Sequence, residues 1–331
     1  MSARLAAVLL LVALTAGALL APSPKASALP FEFDLQAHRG GRGETTEESL
    51  RAFAKSLELG VSTLELDIAI TKDGQPLVWH DPTIDAEKCA DTGPAFAGDP
   101  QYPYVGKLVH ELTLVQIRTL DCGEQLAEFP HAEVLRGNKI ATLPEVFALA
   151  DLYRAGVRYN IETKVEADQP GRSAEPQQFV DVILAAVRAA GKVDRVEIQS
   201  FDWRTLPIVH QAESSLPLMA LYDEETWVPD SPWLAGINVA DPAVGGDPMI
   251  AATMVGADIV SPSYQLVTGK PYVDHAHSLG LKIIPWTVND ADAMCEQIGY
   301  GVDGIMTDYP TLLRSVMAEL GMALPPAYHR G

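Results

Sequence analysis

Leu64-Glu65-Leu66-Asp67-Ile68-Ala69-Ile70 and Tyr159-Asn160-Ile161-Glu162-Thr163-Lys164 are the two stretches on which the reading of this chain turns. Each alternates polar with apolar or bland residues, the period of a β-strand, so pleating puts Glu65 and Asp67 on one face, and Asn160, Glu162 and Lys164 likewise. Three carboxylates on adjacent strands cannot share a dry interior without a cation between them. A divalent metal site is therefore the first expectation. The rival is that Arg39 and Lys164 serve as salt-bridge partners and no metal is needed.

Working outward, strand-like and helix-like pieces alternate. Leu35–His38 reads as a first strand, Glu47–Leu59 as a helix ended by Gly60, and Asp73-Gly74 as a hairpin turn into Pro76–His80. Pro82–Lys139 is irregular. Beyond it come a helix over Leu143–Arg154, the Tyr159–Lys164 strand, a helix over Gln177–Ala190, a strand over Val196–Gln199 and a short helix capped by Asp202. Strands at Leu218–Leu221 and Asp258–Val260 follow. Helix Tyr272–Leu279, strand Lys282–Val288, helix Ala291–Ile298, strand Gly304–Met306 and helix Leu312–Leu320 complete the chain. About eight βα units over this length favour a closed TIM (β/α)8 barrel over an open doubly wound sheet. Gly40-Gly41-Arg42-Gly43 is not a dinucleotide fingerprint.

Residues 1–28 read as a cleaved signal peptide: Arg4, an apolar run from Leu5 to Ala21, then Ala26-Ser27-Ala28. The expected mature chain, 29–331, is an exported domain. The net charge of −20 becomes −22 once Arg4 and Lys25 leave with that segment, which holds no acid. Such a surface argues against nucleic acid or an anionic bilayer as partner. Export also makes Cys89–Cys122, both in the irregular region, the expected disulfide, with Cys295 a buried free thiol.

A barrel of this kind carries its active site where the strands end. His38-Arg39, Glu65, Asp67, His80-Asp81, Glu162, Lys164, Trp286, Asn289 and Thr307-Asp308 all fall at such ends. With these residues in view, Ala37-His38-Arg39-Gly40, Glu65-Leu66-Asp67, His80-Asp81, Glu162-Thr163-Lys164, Trp286-Thr287-Val288-Asn289 and Gly304-Ile305-Met306-Thr307-Asp308 resemble, in order, the motifs of the glycerophosphodiester phosphodiesterases. The resemblance spans nearly the whole mature chain. It implies that about 82–139 is a small subdomain inserted into the barrel after the second strand. Where the family has Pro-Glu-Asn-Thr, this chain has Thr46-Glu47-Glu48-Ser49, so an acid, Glu48, stands for an amide.

The resemblance further implies hydrolysis of small soluble glycerophosphodiesters to sn-glycerol 3-phosphate and an alcohol. Glu65, Asp67 and Glu162 would hold one cation, calcium or magnesium, since all-oxygen donors suit hard ions. Arg39 and Lys164 would bind phosphate, and Trp286 would stack on the glycerol or simply pack the barrel. His38 and His80 would be general acid and base, which is which staying open. Gln199, Ser200 and Phe201 match the family but read as structural. Two alternatives stand beside this: a phospholipase C- or D-type activity on intact or lyso-phospholipids, and a non-catalytic glycerophosphodiester-binding protein. Phe96, Tyr102 and Tyr104 in the insertion are the aromatic residues that could meet a substrate or a lipid surface. Their Asp, Gly and Pro neighbours argue against stable membrane association.

Overall fold

The computed structural model describes residues 33–331; the signal-peptide expectation for 1–28 lies outside them. Eight parallel strands form the wall: β1 (Asp34–Ala37), β2 (Thr63–Ile70), β4 (Arg158–Thr163), β5 (Val196–Ser200), β6 (Leu218–Tyr222), β7 (Ile259–Pro262), β8 (Lys282–Ile283) and β9 (Gly304–Thr307). β3 (Pro76–Val78) is the antiparallel hairpin partner of β2, as the Asp73-Gly74 turn requires. The order runs β8-β7-β6-β5-β4-β2-β1-β9. The last edge is joined by backbone bonds from Asp303 N to Ile283 O, Met306 N to Pro285 O and Val288 N to Met306 O, at 2.9–3.1 Å. This is the expected barrel.

Helices α1 (Leu50–Leu59), α3 (Leu143–Leu152), α4 (Pro176–Ala189), α5 (Thr205–Ala212), α6 (Pro248–Met254), α7 (Lys270–Ser278), α8 (Ala291–Tyr300) and α9 (Pro310–Glu319) accompany the barrel, while α2 (Leu114–Ile117) is a single turn inside the 82–139 stretch. Helix faces and strand exteriors share one apolar core, with Phe53, Phe147, Phe179 and Trp203 fully buried. Every residue of β2 is buried, as expected of a strand covered on both faces.

Several boundaries differ from the sequence reading. The first helix begins at Leu50, not Glu47: Ser49 is its cap, its hydroxyl accepting from Ala52 N at 3.0 Å. Glu48 sits at φ 54°, outside helical space, so Glu47 and Glu48 belong to the loop at the barrel mouth. The strand expected over Lys282–Val288 is regular only to Ile283, because Pro285 has no N–H for the ladder. α5 starts at Thr205; Asp202 instead accepts from the side chain of Arg204. α6 was not foreseen. Cys295 is exposed, not buried: α8 turns Met294 and Gln297 inward, and the next position faces solvent.

The 82–139 stretch packs Ile84, Tyr104, Val109, Leu112, Ile117 and Leu120 into an apolar cluster that it shares with Ala69, Leu77 and Trp79. Cys89 and Cys122, 33 residues apart, are bonded within it. The stretch lies against the loops that leave β1 and β9. Glu133 N donates to Glu44 O at 3.0 Å, Phe129 meets Tyr309 edge-on at 6.1 Å, and Arg42 lies 4.6 Å from the Phe129 centroid.

Candidate active site

The carboxyl ends of the strands surround a cavity of about 180 Å³, lined by His38, Arg39, Arg42, His80, Glu162, Lys164, Gln199, Phe201, Leu221, Trp286, Thr287 and Met306. Strand register gathers the acids. β2 and β4 pair with Asp67 opposite Glu162 and Glu65 opposite Asn160. One carboxylate oxygen from each of Glu65, Asp67 and Glu162 lies within 4.8 Å of the other two.

Both expected cations are present as well. Arg39 Nε is 3.1 Å from Asp67 Oδ2, and Lys164 Nζ is 2.8 Å from Glu162 Oε1 and 3.9 Å from Asp67 Oδ1. Those pairs do not use up the acids. Neither oxygen of Asp67 accepts a hydrogen bond of good geometry, although both are buried. Glu65 is held by neutral donors, Gln199 Nε2 and the Arg39 backbone N–H, each at 2.7 Å. Arg39 sits at φ 49°, and that left-handed turn aims its N–H at Glu65 while its side chain reaches Asp67. Such strain costs about 1–3 kcal/mol and is common at functional sites.

Burial, then the nearby Asp67 charge, pushes the Glu65 carboxyl well above its usual range. Burial pushes Glu162 up to about 7 although Lys164 pulls the other way. For Asp67 burial is outweighed by Lys164 and Arg39, which hold it ionised. Three converging hard-oxygen donors, two of them reluctant to ionise in the bare protein, and two orphaned oxygens on the third are what a divalent cation would satisfy. The residues fit such an ion.

Each histidine is braced by a carboxylate. His38 Nδ1 is 2.5 Å from Asp308 Oδ1, and Asn289 Nδ2 donates to Asp308 Oδ2 at 2.7 Å. Burial works against the Asp308 charge, but His38 holds the carboxyl below its usual range, so Nδ1 is the donor and Nε2 is left to the cavity. His80 Nδ1 is 2.8 Å from Asp81 Oδ1. Burial first, then Arg39 and Lys164, holds the His80 imidazole well below its usual range, hence neutral.

Trp286 is fixed by donation from Nε1 to Ser261 O at 2.9 Å and by edge contact with Phe201, 5.3 Å between centroids. Phe201 and Gln199, read as structural, both line the cavity. The aromatics of the 82–139 stretch do not: Tyr104 is buried in an apolar cluster there, while Phe96 and Tyr102 are exposed. Glu47, Glu48 and Lys88 are the residues that motif reading left without a role. Glu48 Oε1 accepts from Asp67 N at 2.9 Å. Burial and the Asp67 charge push its carboxyl well up, so it can present a neutral group where an amide was expected.

Two braced imidazoles facing a cavity with fixed cations and a potential metal cradle can transfer protons on either side of a phosphorus centre. On a barrel of this kind that is the equipment a phosphoric diester hydrolase needs. Comparison with known proteins takes the assignment further. The model of the glycerophosphoryl diester phosphodiesterase family matches residues 38–312. A glycerophosphodiester phosphodiesterase from Caldanaerobacter subterraneus subsp. tengcongensis is 28% identical over 285 residues, covering 86% of this chain and 98% of the relative. A solved structure from Silicibacter pomeroyi that carries the family's name superposes with a TM-score of 0.74 at 27% identity, covering 89% of this chain and 96% of that one. An Oleispira antarctica phosphodiesterase, solved with the product sn-glycerol-3-phosphate, shares the fold with a TM-score of 0.64 at 17% identity, covering 86% and 96% of the two chains. The chain belongs to the glycerophosphoryl diester phosphodiesterase family. Homologues in that family hydrolyse glycerophosphodiesters and in general depend on a divalent metal.

Proposed function

We propose that this chain is an exported enzyme that hydrolyses small, water-soluble glycerophosphodiesters, such as glycerophosphocholine or glycerophosphoethanolamine, to sn-glycerol 3-phosphate and the headgroup alcohol. The observation that carries the reading is the convergence of Glu65, Asp67 and Glu162 beside a cavity that both His38 and His80 line. Glu65, Asp67 and Glu162 would hold one calcium or magnesium ion. When bound, such an ion supplies Lewis-acid polarisation of a phosphoryl oxygen.

The remaining roles belong to the chain's own side chains. Arg39, turned into the cavity by its pairing with Asp67, offers its remaining N–H groups to a phosphoryl oxygen, and Lys164 adds a point charge. His80 is neutral with Nδ1 committed to Asp81, so its Nε2 lone pair accepts a proton from the water that attacks phosphorus as the bond to the headgroup oxygen breaks. His38, oriented by Asp308, would act through Nε2 as the general acid toward the departing alcohol oxygen. Trp286, Phe201, Leu221 and Met306 form the apolar part of the lining and suit the carbon face of a glycerol, not acyl chains. Among the described residues no helix is long and apolar enough to cross a membrane.

The test is release of sn-glycerol 3-phosphate from soluble diesters, with and without chelator, beside vesicle-borne phosphatidylcholine. The expected result is chelator-sensitive turnover, restored by calcium or magnesium, with far higher kcat/KM on the soluble diester. Full activity after metal removal would refute the metal role. Comparable efficiency on vesicles would move the protein to the lipase alternative, and binding without turnover to the binding-protein alternative.

A further inference from the structure

Lys88 lies in the insertion, outside every motif that marks the site, yet its ammonium is built into the catalytic rim. Nζ is 2.5 Å from Asp81 Oδ2 and 2.7 Å from Glu47 Oε1. Asp81 braces His80 through its other oxygen, Oδ1. Glu47 Oε1 is also 3.6 Å from Arg39 Nη1. One buried cation therefore joins the carboxylate that orients the histidine to a carboxylate that faces the phosphate-binding arginine.

The side chain is 12% exposed and lies 5.2 Å from the Trp79 ring centroid, so its stem and charge are both engaged. Its backbone is pinned as well. Lys88 O accepts from Glu124 N at 3.3 Å, Cys89 N donates to Asp85 O at 2.9 Å, and Cys89 is bonded to Cys122. The insertion holds this lysine from one side while the barrel mouth holds it from the other.

We propose that Lys88 is a positioning residue of the phosphodiesterase, through which the insertion sets the orientation of His80 and Arg39. It acts through Asp81 and Glu47 and touches no substrate. The proposal rests on the functional reading above in that turnover is one of its readouts.

The experiment compares Lys88→Met and Lys88→Arg with Asp81→Asn, Glu47→Gln and the two doubles that combine Lys88→Met with each, using glycerophosphocholine and the metal-loaded full chain. Groups that orient a catalytic residue typically carry about 10–100-fold in activity. Lys88→Met, checked as folded by its melting curve, should lose kcat/KM in that range, with kcat lower through His80 and KM higher through Arg39. Lys88→Arg should recover most of both. In the Asp81→Asn background the Lys88→Met loss in kcat should shrink, and in the Glu47→Gln background the rise in KM should shrink. The ring 15N signals of His80 should shift in Lys88→Met. Kinetic constants within twofold of the parent, undiminished losses in both double variants, or unmoved His80 signals would each overturn the proposal. If Lys88→Met does not fold, Lys88→Gln, which keeps the stem and a polar end without the charge, takes its place under the same criteria. If the parent turns over no glycerophosphodiester, the functional reading fails, and the His80 signals still decide whether Lys88 orients that ring.

Discussion

Replacing Gln199 by leucine should weaken divalent-cation binding without disturbing the fold. Gln199 is 1% exposed and donates from Nε2 to Glu65 Oε1 at 2.7 Å. Its amide cannot turn over, because its carbonyl accepts from Asn160 Nδ2 at 3.0 Å. Asn160 Nδ2 also donates to Gln36 Oε1, and Gln36 Nε2 to Glu197 Oε1, each at 2.8 Å. The chain of amides is thus anchored across the barrel interior and delivers a fixed donor to Glu65. A hydrogen bond to a charged group is worth about 1.5–3 kcal/mol, and loss of such a supporting contact typically costs about 10–100-fold in metal affinity. Leucine is of similar size though branched one carbon earlier, and it leaves Asn160 its bond to Gln36, so the barrel interior stays filled. The measurement is calorimetric titration of chelator-stripped parent and variant with calcium or magnesium. A Kd within twofold of the parent, in a variant with parental melting temperature, would refute the reasoning. Absence of binding by the parent would instead refute the proposed ligand set.

Substituting His38 or His80 by alanine should each lower kcat by about 10²–10⁴-fold with the fold intact, read in the same release assay; a near-normal rate returns that histidine to a structural role. Glu162 titrates at about 7 in the bare protein against about 4.3 when unfolded, so the native state holds the extra proton between those values. Glu162's contribution to the stability of the metal-free protein, read as the difference in melting temperature between parent and Glu162→Gln, should therefore fall as pH rises from about 4 to about 7 and level off above, while the neutral His80 contributes in the opposite direction in both proteins; cation binding, which needs the carboxylate, should strengthen over the same range. A flat difference in melting temperature and flat affinity across that range would contradict the assignment. Replacing Cys89 and Cys122 by serine opens a loop of 33 residues and should cost roughly 3–4 kcal/mol of stability by the chain-entropy relation, measured by denaturant unfolding. A loss below about 1 kcal/mol would show that the apolar cluster of the 82–139 stretch suffices.

The pleat is a local property, so the period-2 pattern by itself determined that Glu65 and Asp67 share a face, and that Glu162 shares one with Asn160 and Lys164; that β4 lies beside β2 with Glu162 opposite Asp67 was decided by the sheet register. The βα alternation determined the barrel, and the barrel determined that His38, His80, Arg39, Lys164 and Trp286, as strand-end residues, would meet at one mouth. Local patterning could not decide what depends on partners far away in the chain. Ser49 caps α1, which starts at Leu50 and not at Glu47, because the loop that carries Glu48 is committed to Asp67 N, a partner 19 residues on. Cys295 follows a buried Met294 yet faces solvent, a difference of one helical step that only packing of α8 fixes. Gln199 and Glu65 are 134 residues apart, and Lys88, next to the bonded Cys89, meets Glu47 from 41 residues away in the chain. A side chain's partners are set by where the backbone returns in space, so the sequence could name the candidate reacting groups, and only the tertiary structure decided which neighbours hold them in place.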